Sequence, residues 1–263
     1  MHFTQRLVST AALAAIGAPA LAAQDYTAPR SAALPTSGVH RVEVIGRAGS
    51  LRIDGKSSSN EVRVRGTARA SSRPLLEEIK LIAEAKDGTI YVEADIPEHN
   101  GWGWDDDSHQ ALDLIIELPA DMPLDVEDGS GELEIRNVGP LDVSDGSGEA
   151  TIEHVGGQLR VKDGSGELRI TDVKGDVEVA DGSGSLEIRD VQGGVEIDNK
   201  GSGELRITNV AKSIHVRSKG SGTVDVAHVG GDFVVDRKAS GSIEYADVKG
   251  RVDVPERDRR RRR

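Results

Sequence analysis

Between Asp128 and Val254 apolar and polar residues alternate in short runs, and the runs recur at a nearly fixed interval. The central serines of seven Gly-Ser-Gly-like steps are Ser130, Ser147, Ser165, Ser183, Ser202, Ser221 and Ser240, spaced 17, 18, 18, 19, 19 and 19 residues apart. Stacking seven units on those serines aligns five apolar columns. Two follow the serine, running from Leu133 to Ile243 and from Ile135 to Tyr245; a third is valine throughout, Val138 to Val248; two more run from Leu141 to Val252 and from Val143 to Val254. The first two and the last two columns each alternate with polar residues, which predicts two short strands per unit with one face of each buried. A period of two excludes a helical repeat, and self-similarity at this interval points to a coil of stacked units.

Two corners separate the strands. One is the Gly-Ser-Gly step; the other contains Asn137, His154, Asp172, Asp190, Asn209, His228 or Asp247. Glycine, and next to it Asn and Asp, adopts the positive φ that a sharp corner requires. A DG pair between alternating strands is also a hairpin signal, so an antiparallel meander competes with a coil. Charge decides between them. Hairpins would set Arg160 against Arg169 and Glu178 against Glu187, like-charge pairs that cost stability. Winding each unit once round an axis instead stacks Glu134, Thr151, Arg169, Glu187 and Arg206 in one column and Asp142, Arg160 and Glu178 in another, mostly with alternating sign. Glu178 on Glu196 and Asp225 on Glu244 are the exceptions. The expected fold is all-β, a single parallel β-solenoid (β-helix), right-handed by the crossover preference, with about seven regular rungs of 17–19 residues and a less regular N-terminal part.

That N-terminal part, 38–127, contains echoes of the unit in AGSLRIDG (48–55) and NEVRVRG (60–66). The stretch 79–95 reads as a strand, a DG turn and a strand, and 74–86 is expected as strand in preference to helix. Residues 97–110 break the pattern as an exposed insertion ahead of the strand ALDLIIELP. The remaining segments are a secretory signal (1–22), a linker (23–37), the regular repeats (128–254) and a disordered arginine-rich tail (255–263). The signal reading rests on Arg6, an apolar run from Leu7 to Leu21 too short to span a bilayer, and small residues at Ala20 and Ala22. An exported protein, periplasmic, surface-held or secreted, with no transmembrane span after cleavage, is the expectation.

Composition narrows the partners. With 3% aromatics and no cysteine, the core must be built of small aliphatic residues without disulfides. The formal charge is -12; setting aside Arg6 and the +4 of the tail leaves -17 for residues 23–255, which disfavours nucleic acid as a partner of the body. The tail, Arg259 to Arg263, suits an anionic surface. An envelope polysaccharide or a protein partner suits the body, and end-to-end or side-by-side association of the rod stays open.

The residue before each Gly-Ser-Gly step runs Asp128, Asp145, Asp163, Asp181, Lys200, Lys219, Lys238. Four stacked carboxylates repel by about 0.9 kcal/mol per neighbouring pair even in water. Turn chemistry, each Asp bonding its own backbone, is the plain explanation; calcium, which oxygen donors suit, is the alternative, though the GGxGxDx motif of stacked calcium repeats is absent. On either account this column gives one edge of the rod a switch from acidic to basic, the place where a ligand would be held. Trp102 and Trp104, beside three acids and His109, either stack on sugar rings or cap an open end. The serines lie in no GxSxG elbow, and His154 and His228 occupy corner positions filled elsewhere by Asn and Asp. A non-catalytic binding or envelope scaffold protein is therefore expected, with a carbohydrate-active β-helix, a polysaccharide lyase or hydrolase, as the enzyme alternative.

The motifs AGSLRIDG, LDLIIELPADMPLDVEDGSGELEI (112–135) and the tandem GSG units resemble a bacterial family of β-strand-repeat proteins labelled "putative adhesins", a domain of unknown function. The resemblance covers roughly residues 38–254. It implies GSG-cornered rungs behind an irregular opening segment and an adhesin-like role, and it brings no catalytic residues with it.

Overall fold

Ser147 stands opposite Ser165 and Ser165 opposite Ser183 in parallel register, with every apolar column aligned between them. The DGSG steps are therefore corners of a coil, not hairpins, and the chain is an all-β parallel solenoid of about seven turns. The computed structural model describes residues 25–56, 58–97 and 108–255, with the backbone alone of Arg6–Val8 and Arg259–Arg261. The chain divides into two units, Met1–Gly131 and Glu132–Arg263.

The first unit contains β1 (Arg6–Val8), β2 (Tyr26–Pro35), β3 (Arg41–Ile45), β4 (Leu51–Lys56), β5 (Glu61–Ala70), helix α1 (Arg73–Glu78), β6 (Lys80–Lys86), β7 (Thr89–Asp95), β8 (Gln110–Pro119) and the start of β9 (Leu124–Val138). Its centre is coil-like. Strand β3 pairs in parallel with β7 and with the beginning of β9, and β4 pairs in parallel with β8. Around this lie antiparallel partners: β6 folds back on β7 through Asp87 and Gly88, both at positive φ, and β5 runs between β8 and β2. Strand β1 lies antiparallel to β6.

Two expectations are corrected here. Residues 26–35 form no linker, because Ala28, Arg30 and Leu34 alternate inward and all ten residues pair with β5. Residues 74–86 are split: Ser72 accepts a bond from the Leu75 amide as N-cap, Pro74 sits in the first turn, and the helix stops where Ile79 turns extended and enters the core. Buried Arg30 serves that helix end, its Nε and Nη2 donating to the carbonyl of Ile79 at 3.1 and 2.9 Å and Nη2 to that of Leu76 at 3.2 Å.

The second unit contains β10 (Leu141–Val155), β11 (Leu159–Val173), β12 (Val177–Val191), β13 (Val195–Ser202), β14 (Leu205–Val210), β15 (Ile214–Lys219), β16 (Val224–Val229), β17 (Phe233–Lys238), β18 (Ile243–Val248), β19 (Val252–Asp253) and β20 (Arg259–Arg261). In β10, β11 and β12 a single strand runs through the Gly-Ser-Gly corner; from β13 onward the corner separates two strands. Every rung-to-rung pairing is parallel. The predicted columns form the core: Leu168, Ile170, Val173, Leu159 and Val161 are all buried, as are their counterparts above and below. The tail also departs from expectation. The backbone of Arg259–Arg261 pairs in parallel with Ile243–Tyr245, adding a strand to an edge that would otherwise be open.

Candidate functional site

Both corners are set by backbone conformation and by the closeness of the rungs. Asn137, His154, Asp172, Asp190, Asn209, His228 and Asp247 all hold φ between 50° and 59°, the left-handed region predicted for them. At the other corner the second glycine has positive φ, and a further constraint appears that φ alone does not supply. A Cβ on Gly166 would lie 1.7 Å from the carbonyl oxygen of Gly148, and the same 1.7 Å separates Gly184 from the Gly166 oxygen and Gly203 from the Gly184 oxygen. Each rung's carbonyl fills the place where the next rung's side chain would start.

The residue ahead of this corner points inward. Asp145, Asp163 and Asp181 are 5%, 8% and 2% exposed, and Lys200 and Lys219 are 0% and 1%. Their register is continuous, Asp145 opposite Asp163, then Asp181, Lys200, Lys219 and Lys238. Asp128, in the first unit, is buried too. From Asp128 to Lys219 the expected charged outer edge is thus overturned: these residues form an internal charge ladder, and the Asp residues do not act as surface turn-formers, whereas Lys238 is half-buried. Alternation carried this signal. Asp145, Asp163 and Asp181 lie two residues beyond the buried Val143, Val161 and Val179, which places them on the same face. Between β12 and β13 the register slips at Val179/Ala180 so that Ala180 faces Asn199, and the extra residue lengthens the rung while keeping Lys200 opposite Asp181.

Charges this deep need partners. Lys200 Nζ lies 2.9 Å from Asp181 Oδ2 and donates to the carbonyls of Gly184 (3.0 Å) and Ser202 (2.7 Å). Lys219 Nζ donates to the carbonyls of Gly203 (2.9 Å), Gly201 (3.2 Å) and Ser221. Burial, then repulsion from Lys200, lowers the Lys219 ammonium to about 8 despite the opposing pull of Asp181. The acidic half is less well served. Neither oxygen of Asp145, nor Asp163 Oδ2, nor Asp181 Oδ1 receives a hydrogen bond of normal geometry. Burial first, then the Asp181 charge and a hydrogen bond and charge from Asp145, raises Asp163 to about 7; burial raises Asp145 against the opposing hydrogen bonds from Asp163 and the Gly146 backbone.

Outward-facing charges pair between rungs as the stacking predicted. Arg160 lies 3.3 Å from Asp142 and 3.4 Å from Glu178, and Arg169 lies 3.4 Å from Glu149 and 3.6 Å from Glu187. The like-charge stack of Glu178 on Glu196 is relieved sideways, Glu178 by Arg160 and Glu196 by Arg217. Pairs this exposed contribute at most about 1 kcal/mol each.

The left-handed corner lines an open groove of about 560 Å³ in the second unit. Asp172, Asp190, Asn209, His228 and Asp247 project along it, one per rung, above the buried valines 191, 210 and 229. Neighbours are linked: Asn209 Nδ2 donates to Asp190 Oδ1 at 2.9 Å, and His228 Nδ1 lies 2.8 Å from Asp247 Oδ2, a bond that holds the Asp247 carboxyl below its usual range. Sequence reasoning identified these residues only as corner formers; their one-per-rung recurrence was the signal that they also form a surface. Trp102 and Trp104 lie outside the described residues. Among the described residues no three or more His, Asp or Glu side chains converge as metal ligands, and no helix is long and apolar enough to cross a membrane.

The family model described as Toastrack DUF4097 matches residues 52–262. The chain belongs to this family. Solved structures of similar outline include a "putative adhesin" from Bacteroides fragilis (14% identity, 86% of this chain and 97% of that one, TM-score 0.45) and another from Parabacteroides merdae (12%, 82% and 95%, 0.35). A "putative lipid binding protein" from Parabacteroides distasonis is similar at 14% identity, 86% and 93% coverage and a TM-score of 0.33. No curated protein matches the chain. The Toastrack family assignment agrees with the repeat architecture and assigns no chemistry to the corners.

Proposed function

We propose that this Toastrack protein is an exported, non-catalytic binding protein that presents its left-handed corner groove to an extended envelope polymer, a polysaccharide first of all. The observation that carries the reading is the groove's composition: one hydrogen-bonding side chain per rung, at the ~4.8 Å spacing of stacked strands, over a floor of buried valines. A ligand with its own repeat meets the same donors and acceptors at each step. The charged column that would have competed for this role is buried from Asp128 to Lys219, so over those rungs it offers a ligand no surface. The arginine tail supplies separate attraction to anionic surfaces.

Binding to purified envelope polysaccharides, measured by biolayer interferometry, tests this with a triple Asp190→Gly, His228→Gly, Asp247→Gly variant, which removes the side chains and keeps a residue suited to the positive φ of these corners. Affinity should fall at least tenfold while the melting temperature falls by no more than about 5 °C, because these side chains are exposed and glycine takes the corner conformation without strain. Release of reducing ends from the polysaccharide would replace the proposal with the lyase or hydrolase reading. Undiminished binding by the triple variant would move the site elsewhere, and a Trp102→Ala, Trp104→Ala variant would then locate it.

A further inference from the structure

The two lysine rungs show what the interior of the Gly-Ser-Gly corner is built to hold. In each, a cation sits between the same two carbonyls: that of the second corner glycine of the preceding rung and that of the serine of its own rung. For Lys200 these are Gly184 and Ser202, at 3.0 and 2.7 Å, with the carboxylate of Asp181, from the preceding rung, at 2.9 Å. For Lys219 they are Gly203 and Ser221. The ammonium is thus enclosed by oxygen alone.

Moving this arrangement up by two rungs, in the observed register, replaces Lys200 by Asp163, Asp181 by Asp145, Gly184 by Gly148 and Ser202 by Ser165. The glycine carbonyl keeps its orientation on the way, because the Gly148, Gly166 and Gly184 oxygens each approach the next rung's glycine to the same 1.7 Å of a built Cβ. The glycine carbonyl persists, but the ammonium is gone: Asp is shorter than Lys and brings a second negative charge where Lys brought a positive one. Two buried carboxylates then face each other at 5% and 8% exposure, in contact with one another, and neither oxygen of Asp145 nor Oδ2 of Asp163 receives a hydrogen bond of normal geometry.

We infer that the Asp145 and Asp163 carboxylates, with the carbonyls of Gly148 and Ser165, form a site for one hard divalent cation, calcium by its donor chemistry, at the place the lysine ammonium takes in the later rungs. Four oxygens and no nitrogen or sulfur exclude a preference for zinc or copper, and two carboxylates balance a double positive charge. Water completes the shell from the glycine corner, where Gly164 and Ser165 are exposed. Asp181 stands outside the site, committed to Lys200.

The test uses the full chain, stripped with EDTA and titrated with calcium chloride by isothermal calorimetry and thermal melting. One calcium per chain should bind, and the melting temperature should rise by about 5–10 °C when calcium exceeds its Kd a hundredfold. Asp163→Asn should abolish both effects. Asp163→Lys should fold, melt near the calcium-loaded wild type and ignore calcium, because it supplies the rung with its own ammonium, as Lys200 does. Glu149→Gln, on the surface, should leave the response intact. Absence of heat and of a melting shift at millimolar calcium, an equal shift in Asp163→Lys, or a response to sodium without one to calcium would each overturn the assignment.

Discussion

Replacing Lys219 by methionine should abolish a pH dependence of stability that the buried ammonium imposes. In the unfolded chain this amine titrates at 10.5; inside the coil, at 1% exposure and beside Lys200, it titrates at about 8. Below pH 8 both states are protonated and the folded state bears the full cost. Between pH 8 and 10.5 the unfolded chain still binds the proton while the folded chain has released it, so stability rises with pH. At 1.36 kcal/mol per tenfold, the whole difference is about 3 kcal/mol, most of it recovered between pH 7 and pH 10. Methionine preserves the length and packing of the chain and carries no proton. It also leaves the Gly201, Gly203 and Ser221 carbonyls without their donor, which lowers stability by a similar amount at every pH and so cancels from the comparison. Urea unfolding at pH 7, 9 and 10 reads the difference: the gap between wild type and Lys219→Met should widen in favour of the wild type by about 2–3 kcal/mol as pH rises. Parallel curves would refute the placement of a charged Lys219 in the interior.

Gly166→Ala should destabilise the chain by more than about 3 kcal/mol in chemical denaturation, since its Cβ would lie 1.7 Å from a backbone oxygen at a φ of 140°, whereas Gly156→Ala, with its nearest atom at 3.3 Å, should change stability by less than about 1 kcal/mol. Ile170→Ala removes a fully buried side chain and should cost about 2–5 kcal/mol by the same measurement. Arg169→Gln breaks pairs with Glu149, Glu167 and Glu187 that face solvent, and should shift the unfolding midpoint by an amount equivalent to about 1 kcal/mol or less, shrinking further in high salt. Arg30→Met should cost about 3 kcal/mol and expose the 73–78 helix to proteolysis, because the Leu76 and Ile79 carbonyls lose their only side-chain donor shown among the described residues.

The repeat made most of this architecture legible. A serine every 17–19 residues fixed the coil, alternation fixed which columns are buried, and opposite charges at Asp142, Arg160 and Glu178 separated a parallel stack from a meander before any coordinate was known. The left-handed corners were legible for a similar reason, since a side chain that tolerates positive φ is a property of the single residue. The first unit was less readable. Its antiparallel strands β2, β5 and β6 depend on distant partners, Arg63 on Glu117 and the backbone of Val8 on Ile82 among them, and no repeat marks their register. The linker reading of 23–37 failed because an alternation of Ala28, Arg30 and Leu34 is weak until the pairing with β5 is seen.

The internal ladder marks the boundary between the two kinds of information. Sequence alone determined that Asp145, Asp163, Asp181, Lys200 and Lys219 share one column; it suggested an outer edge, although alternation from Val143, Val161 and Val179 turns the acids inward. Only the tertiary structure decided that charge could stay there. Whether an ammonium is tolerated in a coil's interior depends on carbonyls delivered by a neighbouring rung, Gly184 to Lys200 and Gly203 to Lys219, and those come within 3.0 Å only once the turns have stacked.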